Sequence, residues 1–239
     1  MAARKKIKLE EGEEIVKEGK KGKATLIICE KPAAAEKIAD ALSNGKDRKY
    51  NEGGVPFYEF EKNGKRIIVG CAVGHLFGVA EDKKGKRAEI PSFEVAWKPS
   101  FETKTAGFTK KYYLALKKLA KEADEVIVAT DYDVEGEVIG WNVVRFIANK
   151  KDAKRMKFSS LTKDELNNAY DNLQPSINWS QAYAGETRHY VDWFYGINLS
   201  RALMRALSKA KRFRIMSVGR VQGPALAILV DKELQIKGF

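Results

Sequence analysis

Asp131-Tyr132-Asp133-Val134-Glu135-Gly136-Glu137 places four carboxylates within seven residues, directly after the apolar run Glu125 to Thr130. An i, i+2 pair leaving a strand directs Asp131 and Asp133 to the same side. Crowded carboxylates repel, and either share a proton or require a cation. Oxygen donors of this kind suit Mg²⁺, which takes one or two carboxylates and completes its shell with water and phosphate. The alternative is helix capping, with Asp133 as N-cap and Glu135 and Glu137 facing the helix dipole in the first turn. Glu30 shifts the balance towards a metal. It too follows a short apolar run, Ala24 to Cys29, and is followed at once by Lys31. If the two runs are neighbouring strands, a further carboxylate and an ammonium converge on the acidic cluster. That set suits phosphoryl transfer: a metal to hold the phosphate, a carboxylate to move a proton and a lysine to offset developing charge.

The elements needed to position these groups are legible in the pattern. Ala24 to Cys29 reads as a buried strand, and Pro32 opens a helix running to about Leu42. Phe57 to Glu61 and Lys65 to Val73 flank Asn63-Gly64, the signature of a hairpin. Gly74-His75 follows at the strand exit. Glu81 to Gly107 reads as a long connection with little regular structure. A helix over Phe108 to Lys121, a strand over Glu125 to Thr130 and a helix over Glu135 to Asn149 imply a mostly parallel sheet covered on both faces. Arg155 to Phe158 could add a strand, after which Leu161 to Leu173, Gln181 to Lys209 and Val221 to Lys237 are helical in character. The expected fold class is α/β, followed by a mainly helical unit. Residues 1–23, rich in Lys, Glu and Gly, read as a flexible basic arm.

Composition supports a polyanionic partner. The 239 residues carry 44 Lys+Arg against 32 Asp+Glu, a surplus of +12, which favours nucleic acid. A hydrophobic content of 44% is enough to bury a core and excludes disorder. Two cysteines and two histidines are too few for a four-ligand zinc ribbon or a disulfide framework. Cys29 and Cys71 sit in apolar runs and read as buried free thiols of a reducing cytosol. No apolar run reaches the roughly 20 residues of a membrane span. Met1 to Lys8 lacks the apolar core of a secretory signal. A cytoplasmic, nucleoid-associated protein is expected.

Leu26-Ile27-Ile28-Cys29-Glu30-Lys31-Pro32, followed by Ala129-Thr130-Asp131-Tyr132-Asp133-Val134-Glu135-Gly136-Glu137, resembles the Toprim domain of type IA DNA topoisomerases. Val134 stands where many bacterial members carry arginine, and Glu-Lys-Pro is closer to the topoisomerase III and archaeal branch. Toprim units also occur in primases and nucleases, so the later segments decide. Glu186-Thr187-Arg188-His189 through Asp192, Gly196 and Ser200 resembles the family's Ala-Arg-x-x-x-Asp-x-x-x-Gly-x-x-x-Ser pattern, with Thr187 in place of a small residue. Ser217-Val218-Gly219-Arg220-Val221-Gln222-Gly223-Pro224 resembles its Ser-Ala-Gly-Arg-Val-Gln-Ser-Pro motif. The resemblance runs from about Ala24 to Phe239.

It implies a Toprim domain over 24–158 and the first part of a helical DNA-binding domain over 159–239. It also implies that Asp131, Asp133, Glu135 and Glu30 serve Mg²⁺, and that Glu30 and Lys31 are catalytic. His75, Arg188, His189, Asp192, Trp193 and the loop Ser217, Val218, Gly219, Arg220, Val221 and Gln222 are implied to meet single-stranded or underwound DNA. Residue chemistry agrees in part: from Arg188 to Arg220 there are eight Lys/Arg and one acid, Asp192. Arg188 and Asp192 also satisfy the spacing of a plain i, i+4 ion pair. Tyr190, Trp193, Phe194 and Tyr195 could stack on bases, but the weight falls on helix-packing core.

The family cuts one strand with a tyrosine in a Tyr-Pro-Arg or Tyr-Thr-Arg context, and none of the nine tyrosines here has one. The expectation is therefore the N-terminal part of a longer enzyme, by truncation or gene splitting, inactive alone and completed by a part that carries the nucleophile. A stand-alone Toprim nuclease or primase-like enzyme, or a non-catalytic single-strand-binding module, are the rival readings.

Overall fold

The computed structural model describes residues 24–82, 90–102, 106–212 and 214–239, so the expected N-terminal arm lies outside the described residues. Strand β1 (Ala24–Cys29) is buried along its whole length. It pairs in parallel with β4 (Lys65–Cys71) on one side and β7 (Ala123–Ala129) on the other. A strand hydrogen-bonded at both edges and covered on both faces has no solvated side, and its unbroken apolar run has that physical origin. Strands β2 (Arg48–Glu52) and β3 (Val55–Lys62) extend one edge antiparallel, and β8 (Lys154–Arg155) adds to β7 in parallel. The order is β2-β3-β4-β1-β7-β8, a mostly parallel six-stranded sheet.

Alternate residues of each strand feed two cores. On one face Ile27, Cys29, Ile67 and Val69 pack with Ile38 and Leu42 of α1 (Pro32–Ser43) and Leu166 of α4 (Lys163–Asp171). On the other, Leu26, Ile28, Ile68 and Val128 pack with Leu116 of α2 (Thr109–Ala120) and Ile139 and Val143 of α3 (Val134–Phe146). Ala182, near the start of the 31-residue α5 (Trp179–Lys209), joins this second core. Helix α6 (Gln222–Lys237) ends the chain.

The hairpin at Asn63-Gly64 forms as expected, with φ of 51° and 71° at its two central residues. The long connection corrects the expectation of irregularity. β5 (Phe77–Glu81) and β6 (Val95–Pro99) pair antiparallel into a separate two-stranded sheet. Their partners are well apart in the chain, so no local turn motif announced the pairing. β2 was likewise not anticipated, because an edge strand of Arg, Lys, Tyr, Asn and Glu lacks an apolar face. Arg155 to Phe158 contributes only its first residue to a strand.

Cys29 and Cys71 are free and buried. Burial raises both thiols, Cys71 to about 12. Among the described residues no helix is long and apolar enough to cross a membrane.

Candidate metal and DNA site

The register of the sheet builds the site. Cys29 is level with Ala129 in the β1–β7 ladder, so the next residues of both strands leave side by side at the carboxyl edge, where open α/β sheets bind ligands. Lys31 Nζ lies 2.9 Å from Asp131 Oδ2 and 3.4 Å from Glu30 Oε1, tying the two strand ends together. Burial, and next the charge of Asp131, raise the Glu30 carboxyl above its usual range, with Lys31 opposing. Lys31 is raised in turn, chiefly by its hydrogen bond to Asp131.

Asp133 caps α3, its Oδ1 accepting from the Gly136 N–H at 2.7 Å. Capping and cation binding are compatible, since one carboxylate offers several lone pairs. Gly136 is required by the turn: a Cβ there would collide with the backbone carbonyl of Asp131. Thr130 Oγ1 donates to the Gly136 carbonyl at 2.7 Å and closes the same turn.

Glu135 and Glu137 diverge from this cluster. Glu137 is fully buried and pairs with the equally buried Arg155 at 2.6 Å. Arg155 also donates to the carbonyls of Met156 (2.8 Å) and Asp131 (2.9 Å), which fixes the backbone beneath the site. Glu135 turns towards α5. Its Oε1 lies 3.2 Å from Arg188 Nη1, and its Oε2 lies 3.2 Å from His75 Nε2 and 3.0 Å from His189 Nε2. Burial, then the neighbouring His189, lower the proton affinity of His75 while Glu135 opposes them.

Val73, at φ 55°, makes the turn that delivers His75. A β-branched residue in the left-handed region costs on the order of 1–3 kcal/mol. The following N–H, that of Gly74, donates to the Glu30 carbonyl at 3.0 Å, so the strained turn is anchored on the acidic cluster itself.

Two groups of side chains could hold a cation. Glu30, Asp131 and Asp133 are hard oxygen donors close enough to perturb Glu30, and Lys31 stands between two of them in the role of a counter-charge. That chemistry fits Mg²⁺. Among the described residues, His75, Glu135 and His189 also have ligand atoms within 4.8 Å of one another. Imidazole donors suit transition metals rather than Mg²⁺, and Arg188 already neutralises that carboxylate.

The remaining expected residues gather along α5 and the loop before α6. Asp192 Oδ1 accepts from Arg220 Nε at 2.6 Å, whereas its i, i+4 partner Arg188 is 3.6 Å away. The bond to Arg220 holds the Asp192 carboxyl below its usual range. The loop is clamped by Ser200, whose Oγ accepts from the Val218 N–H at 2.9 Å. Ser217, Arg220, Val221 and Gln222 are exposed, Val218 and Gly219 half-buried. The aromatic residues of α5 correct the expectation of core packing. Tyr190, Trp193 and Phe194 are only half-buried and Tyr195 is 52% exposed, because this stretch of α5 runs past the main sheet. Trp97 of β6 was not anticipated. Its ring lies 5.2 Å from that of His189, and its indole N–H donates to Glu186 Oε1 at 3.0 Å. A tryptophan in a charged stretch was the available signal.

A profile of the Toprim domain matches residues 25–161, and one described as DNA topoisomerase matches 176–239. The chain belongs to the Toprim family. The two matched regions, in this order, correspond to the N-terminal part of a type IA topoisomerase. The chain is 51% identical over 214 residues to the DNA topoisomerase 1 of Methanocaldococcus jannaschii, covering 90% of this chain and 28% of that protein. It is 47% identical over 218 residues to the DNA topoisomerase 1 of Pyrococcus horikoshii, covering 90% of this chain and 32% of that protein. Full-length topoisomerase I from Thermotoga maritima superposes with a TM-score of 0.60 at 28% identity, covering 90% of this chain and 31% of that one. The chain thus spans about a third or less of the length of these relatives.

Proposed function

We propose that this chain supplies the metal-binding part and the beginning of the DNA track of a type IA topoisomerase, which cuts one DNA strand, passes DNA through the break and rejoins it to relax supercoils. The observation that carries this reading is the convergence of Glu30, Lys31 and Asp131 from adjacent parallel strand ends beside Asp133. Asp131 and Asp133, with Glu30, would hold Mg²⁺, and Glu135 would support them through water while it orients Arg188 and the two histidines. Bound there, the ion would neutralise a non-bridging phosphate oxygen. Lys31 lies where its ammonium can stabilise the scissile phosphate. Glu30 donates a proton to the leaving 3′-oxygen and takes it back on religation. Arg188, Asp192 and the Ser217–Gln222 loop place the strand, with Arg220 free to exchange Asp192 for a backbone phosphate. The nucleophilic tyrosine, which forms the 5′-phosphotyrosyl bond, comes from a part of the enzyme outside this chain.

The test is to mix the purified chain with 5′-labelled and 3′-labelled single-stranded DNA, with and without Mg²⁺. Binding without product is expected, with cleavage and covalent adduct appearing once the tyrosine-bearing part of a relative is added. Free cut ends formed by the chain alone would establish a nuclease instead. An adduct formed by the chain alone would place the nucleophile among its own tyrosines. Binding unaffected by Arg188→Ala and Arg220→Ala would refute the proposed track.

A further inference from the structure

The two cores of the sheet fix where a DNA strand can go. The basic helix α5 and its loop lie on the α3 face, through Ala182 and the contact of Gly185 with Val134 and Val138. Lys31 and Asp131 stand at the carboxyl edge between the two faces. Over that edge, on the α1 and α4 face, a groove of about 880 Å³ begins at Lys31 and Asp131 and continues past Lys37, Tyr132, Lys157 and Phe158. Beyond Lys31 and Asp131, the function proposed above uses no residue of this groove.

Its electrostatics favour a phosphate backbone. Lys37 and Lys157 are exposed. The ammonium of Lys157 is held 4.4 Å from the centre of the Tyr132 ring, and the Tyr132 hydroxyl accepts from Asn178 Nδ2 at 3.1 Å. The cation therefore sits on a braced platform at the mouth of the groove. Glu165, on the same wall, is already occupied by the Ser159 N–H and the hydroxyls of Ser159 and Ser160. These donors hold its carboxyl at about 2, so it remains an anion; along the groove Lys31, Lys37 and Lys157 outnumber it and Asp131 three to two.

A polynucleotide is continuous, so a strand whose phosphate reaches Lys31 must leave the site in two directions. One is the α5 face. We infer that the groove between α1 and the segment following β8 is the second strand-binding subsite, taking the single-stranded DNA backbone on the other side of the cut through Lys37 and Lys157. The inference rests on the DNA reading above and deepens it.

The experiment measures binding of the whole chain to a length ladder of labelled oligothymidylates across a salt series. Each phosphate neutralised on a single strand contributes about 0.7 to the slope of log affinity against log salt, so Lys37→Ala/Lys157→Ala should reduce the slope by about 1.4. Affinity should also stop growing at a shorter oligonucleotide. Lys65→Ala/Lys154→Ala removes the same charge where β4 and β8 begin, at the opposite edge of the sheet, and should leave the slope close to that of the unmodified chain. Equal slopes for the unmodified chain and the groove variant, or equal losses in both variants, would overturn the subsite and leave the proposed function standing. An unmodified chain without affinity for single strands would refute the function and the subsite together.

Discussion

The sheet unit and the far half of α5 with α6 are held in place by different forces. Around Glu30, Asp131 and Asp133 the strands and helices bury their apolar faces on both sides, and the ion pair Glu137–Arg155 is shielded completely. Along α5 only Ala182 and Gly185 are buried, and α6 buries no residue, leaving Ile228 70% and Leu229 64% exposed. There, polar ties do the positioning: Asp192 with Arg220, Ser200 with Val218, Arg201 with Glu81, and Asn198 with the backbone of Ser92. The phosphate transfer proposed for the sheet edge would need groups fixed to fractions of an ångström, which close packing provides. The proposed DNA track would have to give way to a strand, and exchangeable ion pairs at low burial would permit that.

The contrast can be broken most sharply at Glu137. Replacing it with alanine leaves the buried Arg155 guanidinium without its carboxylate, and should cost about 3–5 kcal/mol, read by urea unfolding. A cost near that of a surface substitution would mean that the sheet unit does not depend on its buried pair. A smaller effect is expected from the metal. Mg²⁺ at about 100 times its dissociation constant should stabilise the chain by about 2.7 kcal/mol. Asp131→Asn/Asp133→Asn should abolish that thermal shift.

On the other side of the comparison, Ser200→Ala should cost about 0.5–1.5 kcal/mol and act locally. Amide exchange should quicken at Val218 with the sheet unprotected to no greater degree. The Asp192 tie should show a pH dependence of defined sign. Its carboxyl is depressed in the folded chain, so the stabilisation is complete above the ordinary aspartate value and is lost as pH falls through the lower folded one. The resonance of the Arg220 Nε–H should report this, and Asp192→Asn should remove the dependence. Least of all should follow from Leu229→Ser/Leu234→Ser on α6, within about 0.5 kcal/mol in thermal melts. A large loss would show that α6 is packed in solution and would erase the distinction between the two regions.

Much of the fold was legible because its signals are local. Ala24 to Cys29 is a continuous apolar run because its strand is central; Pro32 marks the start of α1 because it cannot extend a strand ladder. Asn63-Gly64 specifies its hairpin because both positions need positive φ. β2, β5 and β6 were not legible. Their pairing is set by partners elsewhere, and half-buried strands of mixed composition carry weak alternation. The same limit applied to Tyr190, Trp193 and Phe194 of α5, whose spacing suits a core but which Phe93, Trp97 and one another cover only in part.

For the site itself, the sequence alone determined that Glu30-Lys31 and the Asp131–Glu137 run leave apolar strands, since strand, turn glycine and helix start are local chemistry. Only the tertiary structure decided what surrounds each carboxylate. On a helix, successive residues turn by about 100°, so Glu135 and Glu137 face nearly opposite directions. What lies there, α5 with its arginine and histidines on one side and Arg155 beneath the sheet edge on the other, is a matter of how distant segments pack.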